Sequence, residues 1–186
     1  GHGGNDPGKI GVDDSKEKEI NLEIAKKLKV LLEQQDLEVR MTREEDQGLY
    51  EEHSSNKKVQ DLKNRCELIN RMNPDCVISI HQNSYHEEPV KGAQVFYYKN
   101  SVEAKELAED IQEKLISYVD PQNRRQAKSN ESYYLLKRTS APVVIVECGF
   151  LSNWTEAKLL QEESYQSQIA WAVALGVQRY LNMENK

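Results

Sequence analysis

Cys76-Val77-Ile78-Ser79-Ile80 runs almost without a polar break into His81, and Pro142-Val143-Val144-Ile145-Val146 runs the same way into Glu147. Near-continuous apolar runs, as opposed to alternating ones, are what strands buried on both faces carry. Outward from these two runs the period changes. Ile20, Ile24, Leu28 and Leu31 recur at helical spacing in a helix predicted over residues 15–35, with Lys26, Lys27 and Lys29 on its outer side. A second helix is predicted over 59–72, with Leu62, Cys66 and Ile69 inward and Asn73-Pro74 as its stop. A third covers 101–119 through Ala104, Leu107, Ala108, Ile111 and Leu115, and a last one 164–181 through Ile169, Val173, Val177 and Tyr180. Further strands are predicted over 37–42, 92–98 and 133–136. Residues 44–58 read as a polar surface insertion and 121–131 as a polar connection. Strands alternating with helices predict an α/β fold with a mainly parallel or mixed sheet, in one domain over residues 1–186.

Composition narrows the function. A net charge of −6 and scattered Lys and Arg speak against nucleic acid as a partner, since such binders carry a basic stripe. No apolar run approaches the ~20 residues that span a bilayer. Cys66, Cys76 and Cys148 are odd in number, so a fully paired disulfide framework is excluded. Cys76 and Cys148 lie in apolar runs and read as small buried hydrophobes. No CxxC is present to hold a metal through sulfur.

Four residues sit where chemistry is done. His2 lies in the loop Gly1-His2-Gly3-Gly4-Asn5-Asp6-Pro7-Gly8, and Glu17 in the first turn of the first helix. His81 and Glu147 directly follow the two apolar strands, beyond whose carboxyl ends α/β proteins place their sites. Helical spacing puts Glu17 over Asn21, Ile24 and Leu28, on the inward stripe, where an unpaired carboxylate is costly and a cation would satisfy it. Two imidazoles and a carboxylate are the donor set of a catalytic zinc that keeps one position for water. Each residue alone has a plainer reading. His2 serves as a loop histidine, His81 as a satisfied strand-end histidine, Glu17 as a first-turn acid favoured by the helix dipole, and Glu147 as half of an ion pair. His53 and His86 lie in polar loops and read as exposed. The opening loop lacks the Gly-Lys-Ser/Thr ending of a phosphate-binding loop, and no G-x-S-x-G marks a serine nucleophile.

The segments GHGGNDPGKIG (1–11), EKEINLEIAKKL (17–28), TREED (42–46), NRCELIN (64–70), ISIHQNS (78–84) and VECGFLSN (146–153) resemble, in order, those of the zinc-dependent N-acetylmuramoyl-L-alanine amidases of type 3. The stretch DQGLYEEHSSNKKVQDLKNR (46–65) is especially similar to the germination-specific, spore-cortex members. The resemblance implies a twisted central sheet of about six strands flanked by helices. It implies one zinc ion per chain on His2, Glu17 and His81, with Glu147 as the catalytic base. Arg65 matches a frequent family arginine without an assigned role, and Asn5 and Asn83, which flank the ligands, are candidates to orient substrate. The implied substrate is peptidoglycan, cut between N-acetylmuramic acid and L-alanine as the first step toward muramic-δ-lactam. The implied place is extracytoplasmic, in the cell wall or forespore envelope, reached by secretion or by an anchor ahead of Gly1. Family members also carry a strand just before the motif that opens here at Gly1, and without it the loop carrying His2 is expected to lose an anchor and with it metal occupancy. An accessory protein that stabilises the metal site is a further expected partner. A zinc peptidase acting on the stems, or a wall-binding protein with an inactive site, are the competing readings.

Overall fold

A computed structural model describes residues 1–184, so the last two residues of the domain predicted over 1–186 lie outside it. The helices are α1 (Glu17–Glu33), α2 (Lys57–Met72), α3 (Val102–Tyr118), α4 (Tyr134–Arg138), α5 (Trp154–Gln161) and α6 (Glu163–Glu184). The strands are β1 (Val77–Asn83), β2 (Gln94–Tyr98), β3 (Lys128–Asn130) and β4 (Val143–Phe150), in the sheet order β1-β4-β2-β3. The fold is α/β with a mixed sheet: β1 runs parallel to β4, β4 antiparallel to β2, and β2 parallel to β3. The two apolar runs are thus neighbours, and β4 is buried at every position.

Alternation along β4 divides the core. Val144 and Val146 join the larger cluster with Ile24 of α1, Ile111 of α3 and Val173 of α6. Val143 and Ile145 face the other way, toward Phe96 and Leu136 of α4. The parallel register pairs Val77 with Val143 and His81 with Glu147, so His81 and Glu147 share the second face.

The structure departs from the sequence-based expectation along several segments. The sheet has four strands among the described residues, where about six were implied. Residues 37–42 form no ladder, although Leu37 and Val39 pack on the core, so their apolar alternation reflects burial alone. Residues 133–136 belong to the start of α4 instead of a strand, because a short apolar run carries no decisive period. Meanwhile the polar tract 121–131 supplies the edge strand β3, three residues long. The helix α5, started by the Asn153 side chain accepting from the Glu156 N–H, was not anticipated.

The packing of α6 on α3 depends on Gly176. A Cβ there would stand 2.6 Å from the Ile111 Cα and 2.9 Å from its nitrogen. Backbone cannot yield as a side chain can, so Gly176→Ala should lose about 1–3 kcal/mol net of the ~1 kcal/mol that alanine gains in a helix. A thermal or urea midpoint equal to that of the unchanged protein would show that the helices separate freely.

Candidate metal centre

Glu17 is the hub. It is 1% exposed and its two oxygens are fully engaged. Oε1 accepts from the Gln82 N–H at 3.0 Å and lies 2.8 Å from His81 Nδ1. Oε2 accepts from the Lys9 N–H at 2.8 Å and lies 3.2 Å from His2 Nε2. Burial works to raise the Glu17 pKa, but the hydrogen bonds from His2 and His81 overcome it and hold the carboxyl well below its usual range. Asn21, one turn along α1, braces this carboxylate and also accepts from Gln82 Nε2 at 3.1 Å.

His2 arrives from the opening loop, whose Gly3 and Asp6 form an isolated bridge. Gly8, at φ +71°, lets the chain pass close by. A Cβ there would stand 2.5 Å from Glu17 Oε2 and 2.8 Å from the His2 ring, between the two side chains. His81 comes from the end of β1, where the ladder to β4 slips between His81 and Asn83, an irregularity that re-aims side chains beside functional sites. Burial pushes the His81 pKa down to about 4, so its imidazole is neutral at pH 7, as a metal ligand must be.

One donor atom from each of His2, Glu17 and His81 lies within 4.8 Å of the others. The chemistry of His2 tests whether a metal fits. Its Nδ1 lies 2.8 Å from Asp6 Oδ2, so that nitrogen donates its proton to a carboxylate. Its Nε2 faces a second carboxylate, Glu17. Both ring nitrogens therefore point at anions, an arrangement that needs either a second proton or a metal ion on Nε2. Burial opposes a charged His2, but the Glu17 and Asp6 partners win and raise its pKa. Carboxylate, imidazole and metal in a row is how ligand histidines are held. Asp6 was not anticipated, and its only sequence signal was an acid four residues after a loop histidine.

Glu147 stands beside this cluster through the β1–β4 register. It is 7% exposed, and its Oε2 is buried without a hydrogen-bond partner among the described residues. Burial, reinforced by the Glu17 charge, pushes its carboxyl up to about 8. A cleft of about 800 Å³ passes the site, with Asn83, Tyr133 and Glu147 on its wall. Tyr133, at the N-cap of α4, carries no signal in the sequence that marks it for the site. Asn83 uses its Oδ1 to accept from the Ser84 N–H. Asn5 is exposed and its backbone N–H donates to the Tyr50 hydroxyl. His53 and His86 are exposed, away from the cluster.

His81 and Glu147 thus lie within β1 and β4, not beyond their ends as the apolar runs suggested. A histidine–carboxylate cluster beside a buried second carboxylate on the sheet of an α/β fold is what a metal-dependent hydrolase presents. The family described as N-acetylmuramoyl-L-alanine amidase matches residues 1–179. The chain belongs to this family, whose members hydrolyse the amide between N-acetylmuramic acid and L-alanine in peptidoglycan. It is 37% identical to the germination-specific N-acetylmuramoyl-L-alanine amidase of Bacillus subtilis, over 97% of this chain and 76% of that one. It is 30% identical to the probable cell wall amidase LytH of Staphylococcus epidermidis, over 98% of this chain but 56% of that one. The CwlD amidase from Clostridioides difficile, solved in complex with the GerS lipoprotein, superposes with a TM-score of 0.96 at 45% identity, over 98% of this chain and 95% of that one. No helix among the described residues is long and apolar enough to cross a membrane.

Proposed function

We propose that the chain is a zinc amidase of spore-cortex peptidoglycan, with one zinc ion on His2, Glu17 and His81 and with Glu147 as general base. The observation that carries this reading is the orphaned Glu147 oxygen, buried beside a ready donor cluster, since a buried carboxyl without a partner costs stability and groups held at such a cost cluster at reaction sites. Zinc, when bound, supplies a Lewis acid for the scissile carbonyl and brings a water molecule toward ionisation near neutral pH. The positive charge of a bound cation would favour the ionised form of Glu147, which then takes the proton of the attacking water and returns it to the departing alanine nitrogen. Glu17 is oriented by the Gln82 and Lys9 N–H groups, and Asp6 fixes the His2 tautomer that leaves Nε2 free. Asn83 on the cleft wall and Asn5 on the opening loop orient the glycan or stem. The likeness to the germination-specific Bacillus enzyme supports the cortex substrate and an extracytoplasmic site of action. The likeness to an amidase solved with a lipoprotein supports an accessory protein as partner.

A digest of purified cortex peptidoglycan with added zinc, read by mass spectrometry, tests this. Stem peptides with a free L-alanine amino terminus are the expected product. Release of a stem's terminal amino acid would mean a peptidase, and intact muropeptides from a zinc-loaded sample would rule out this substrate.

A further inference from the structure

The loop that carries His2 has little apolar anchorage. Of residues 1–6 only Gly3 is buried, and His2, Gly3 and Gly4 all have positive φ. A histidine at φ 55° occupies a region that its surroundings must enforce.

Gly1 is held on the Ile80 carbonyl of β1, and most of the remaining polar enforcement comes from one neighbourhood. Arg65 of α2 donates through Nη2 to the His2 carbonyl at 3.1 Å and through Nη1 to Thr42 Oγ1 at 2.7 Å, while Asp61 accepts from its Nε at 2.5 Å. Arg43 donates to the Lys18 carbonyl at 2.6 Å, to the Glu45 carbonyl at 3.0 Å and, more loosely, to the Gly1 carbonyl at 3.4 Å. Asp46 accepts from the Gly4 N–H at 2.8 Å and from Lys18 Nζ at 2.6 Å. The Tyr50 hydroxyl accepts from the Asn5 N–H at 2.7 Å. The segment bearing these groups is itself pinned to α2, because Asp61 accepts from the Leu49 N–H and Asn64 donates to the Leu49 carbonyl, both at 2.6 Å. Arg43 and Arg65 are 6% and 5% exposed. Buried guanidinium groups are costly, and these two spend their donors on the carbonyls of Gly1 and His2 and on the groups that aim them.

We infer that residues 42–50 form a strap which, with Arg65, holds His2 in its ligating position and so sets the affinity of the site for its metal. The strap residues are positioning residues, since none is among the donors. The inference rests on reading His2 as a zinc ligand.

Zinc affinity, measured by competition with a chelating dye, separates the possibilities. The samples are the unchanged protein, Tyr50→Phe, Asp46→Asn, Arg65→Lys and, as control, His81→Ala. Tyr50→Phe and Asp46→Asn should each weaken zinc binding by about 10-fold or more, the range for groups that orient ligands. Arg65→Lys keeps the charge without the fork and should weaken it further. The melting temperature of the zinc-free Tyr50→Phe protein should stay close to that of the unchanged protein, which a merely structural role for the strap would not allow together with weaker binding. The visible spectrum of the cobalt-substituted Tyr50→Phe protein should shift, reporting a moved ligand. If Tyr50→Phe and Arg65→Lys bind zinc as the unchanged protein does while His81→Ala does not, the strap inference is wrong and the metal site stands. If the unchanged protein binds no more zinc than His81→Ala, the metal reading falls and the strap inference falls with it.

Discussion

Glu147→Gln should leave the fold and zinc affinity intact while lowering amidase turnover by about 10²–10⁴-fold, the contribution typical of a general base. The substitution keeps the shape of a side chain that is 7% exposed and removes its ability to take a proton. Release of stem peptides with free L-alanine termini, timed against zinc content, measures it, and unaltered turnover would remove Glu147 from the mechanism. The same variant makes a second, metal-independent statement. The folded protein holds the Glu147 carboxyl at about 8, against an ordinary 4.5, so between those values it binds more protons than the unfolded chain. Stability from this group therefore falls as pH rises through the window. In a chelator, Glu147→Gln should match the unchanged protein near pH 4 and be the more stable of the two by on the order of a few kcal/mol at pH 8. Melting curves at several pH values read the difference, and parallel curves would mean that the carboxyl is not held up by burial.

Glu17→Gln should be the most damaging isosteric change in the molecule. Glu17 receives hydrogen bonds from the Lys9 and Gln82 N–H groups and from both histidines. An amide turns one oxygen into a donor that faces other donors, and it removes the anion that His2 and His81 share. The zinc-free protein should lose about 3–5 kcal/mol, the scale for breaking a buried ion pair on one side. Zinc affinity should fall by well over about 100-fold, beyond the loss seen for groups that only orient ligands. The pH dependence has the opposite sign from that of Glu147. The folded protein depresses the Glu17 pKa, so the stability it contributes is present above the ordinary 4.5 and disappears as pH falls below it. Urea unfolding in a chelator at neutral and acid pH measures this, and an equal midpoint for the two proteins at pH 7 would contradict the hub role.

Much of the architecture was legible in the residues. The strands at 76–80 and 142–146 showed themselves as apolar runs; β4 is buried at every step, whereas β1, at the edge of the sheet among the described residues, is half-buried at Val77 and Ile78. Ile24, Leu28, Ile111 and Val173 fell at helical spacing because their helices each bury one stripe. Where the chain is short or polar, that signal fades. The β3 strand Lys128–Asn130 has no apolar alternation, and 133–136 has an apolar pattern too short to choose between helix and strand. Residues 37–42 alternate convincingly, yet a strand also needs a backbone partner, which no side-chain pattern records.

The α/β class was legible from local burial periods, which are properties of neighbouring residues, and so was the position of His81 and Glu147 directly after the apolar runs, although β1 and β4 continue past them to Asn83 and Phe150. Tertiary structure alone decided how residues 64 and 79 positions apart meet: His81 on Glu17, and Gly1 on the Ile80 carbonyl. It also decided the parallel register that sets His81 beside Glu147, and the contact of Asp6 with His2. Arg43 and Arg65 belong to the same group. A buried arginine is recognised by the carbonyl groups it meets, and those are fixed by the path of the folded backbone.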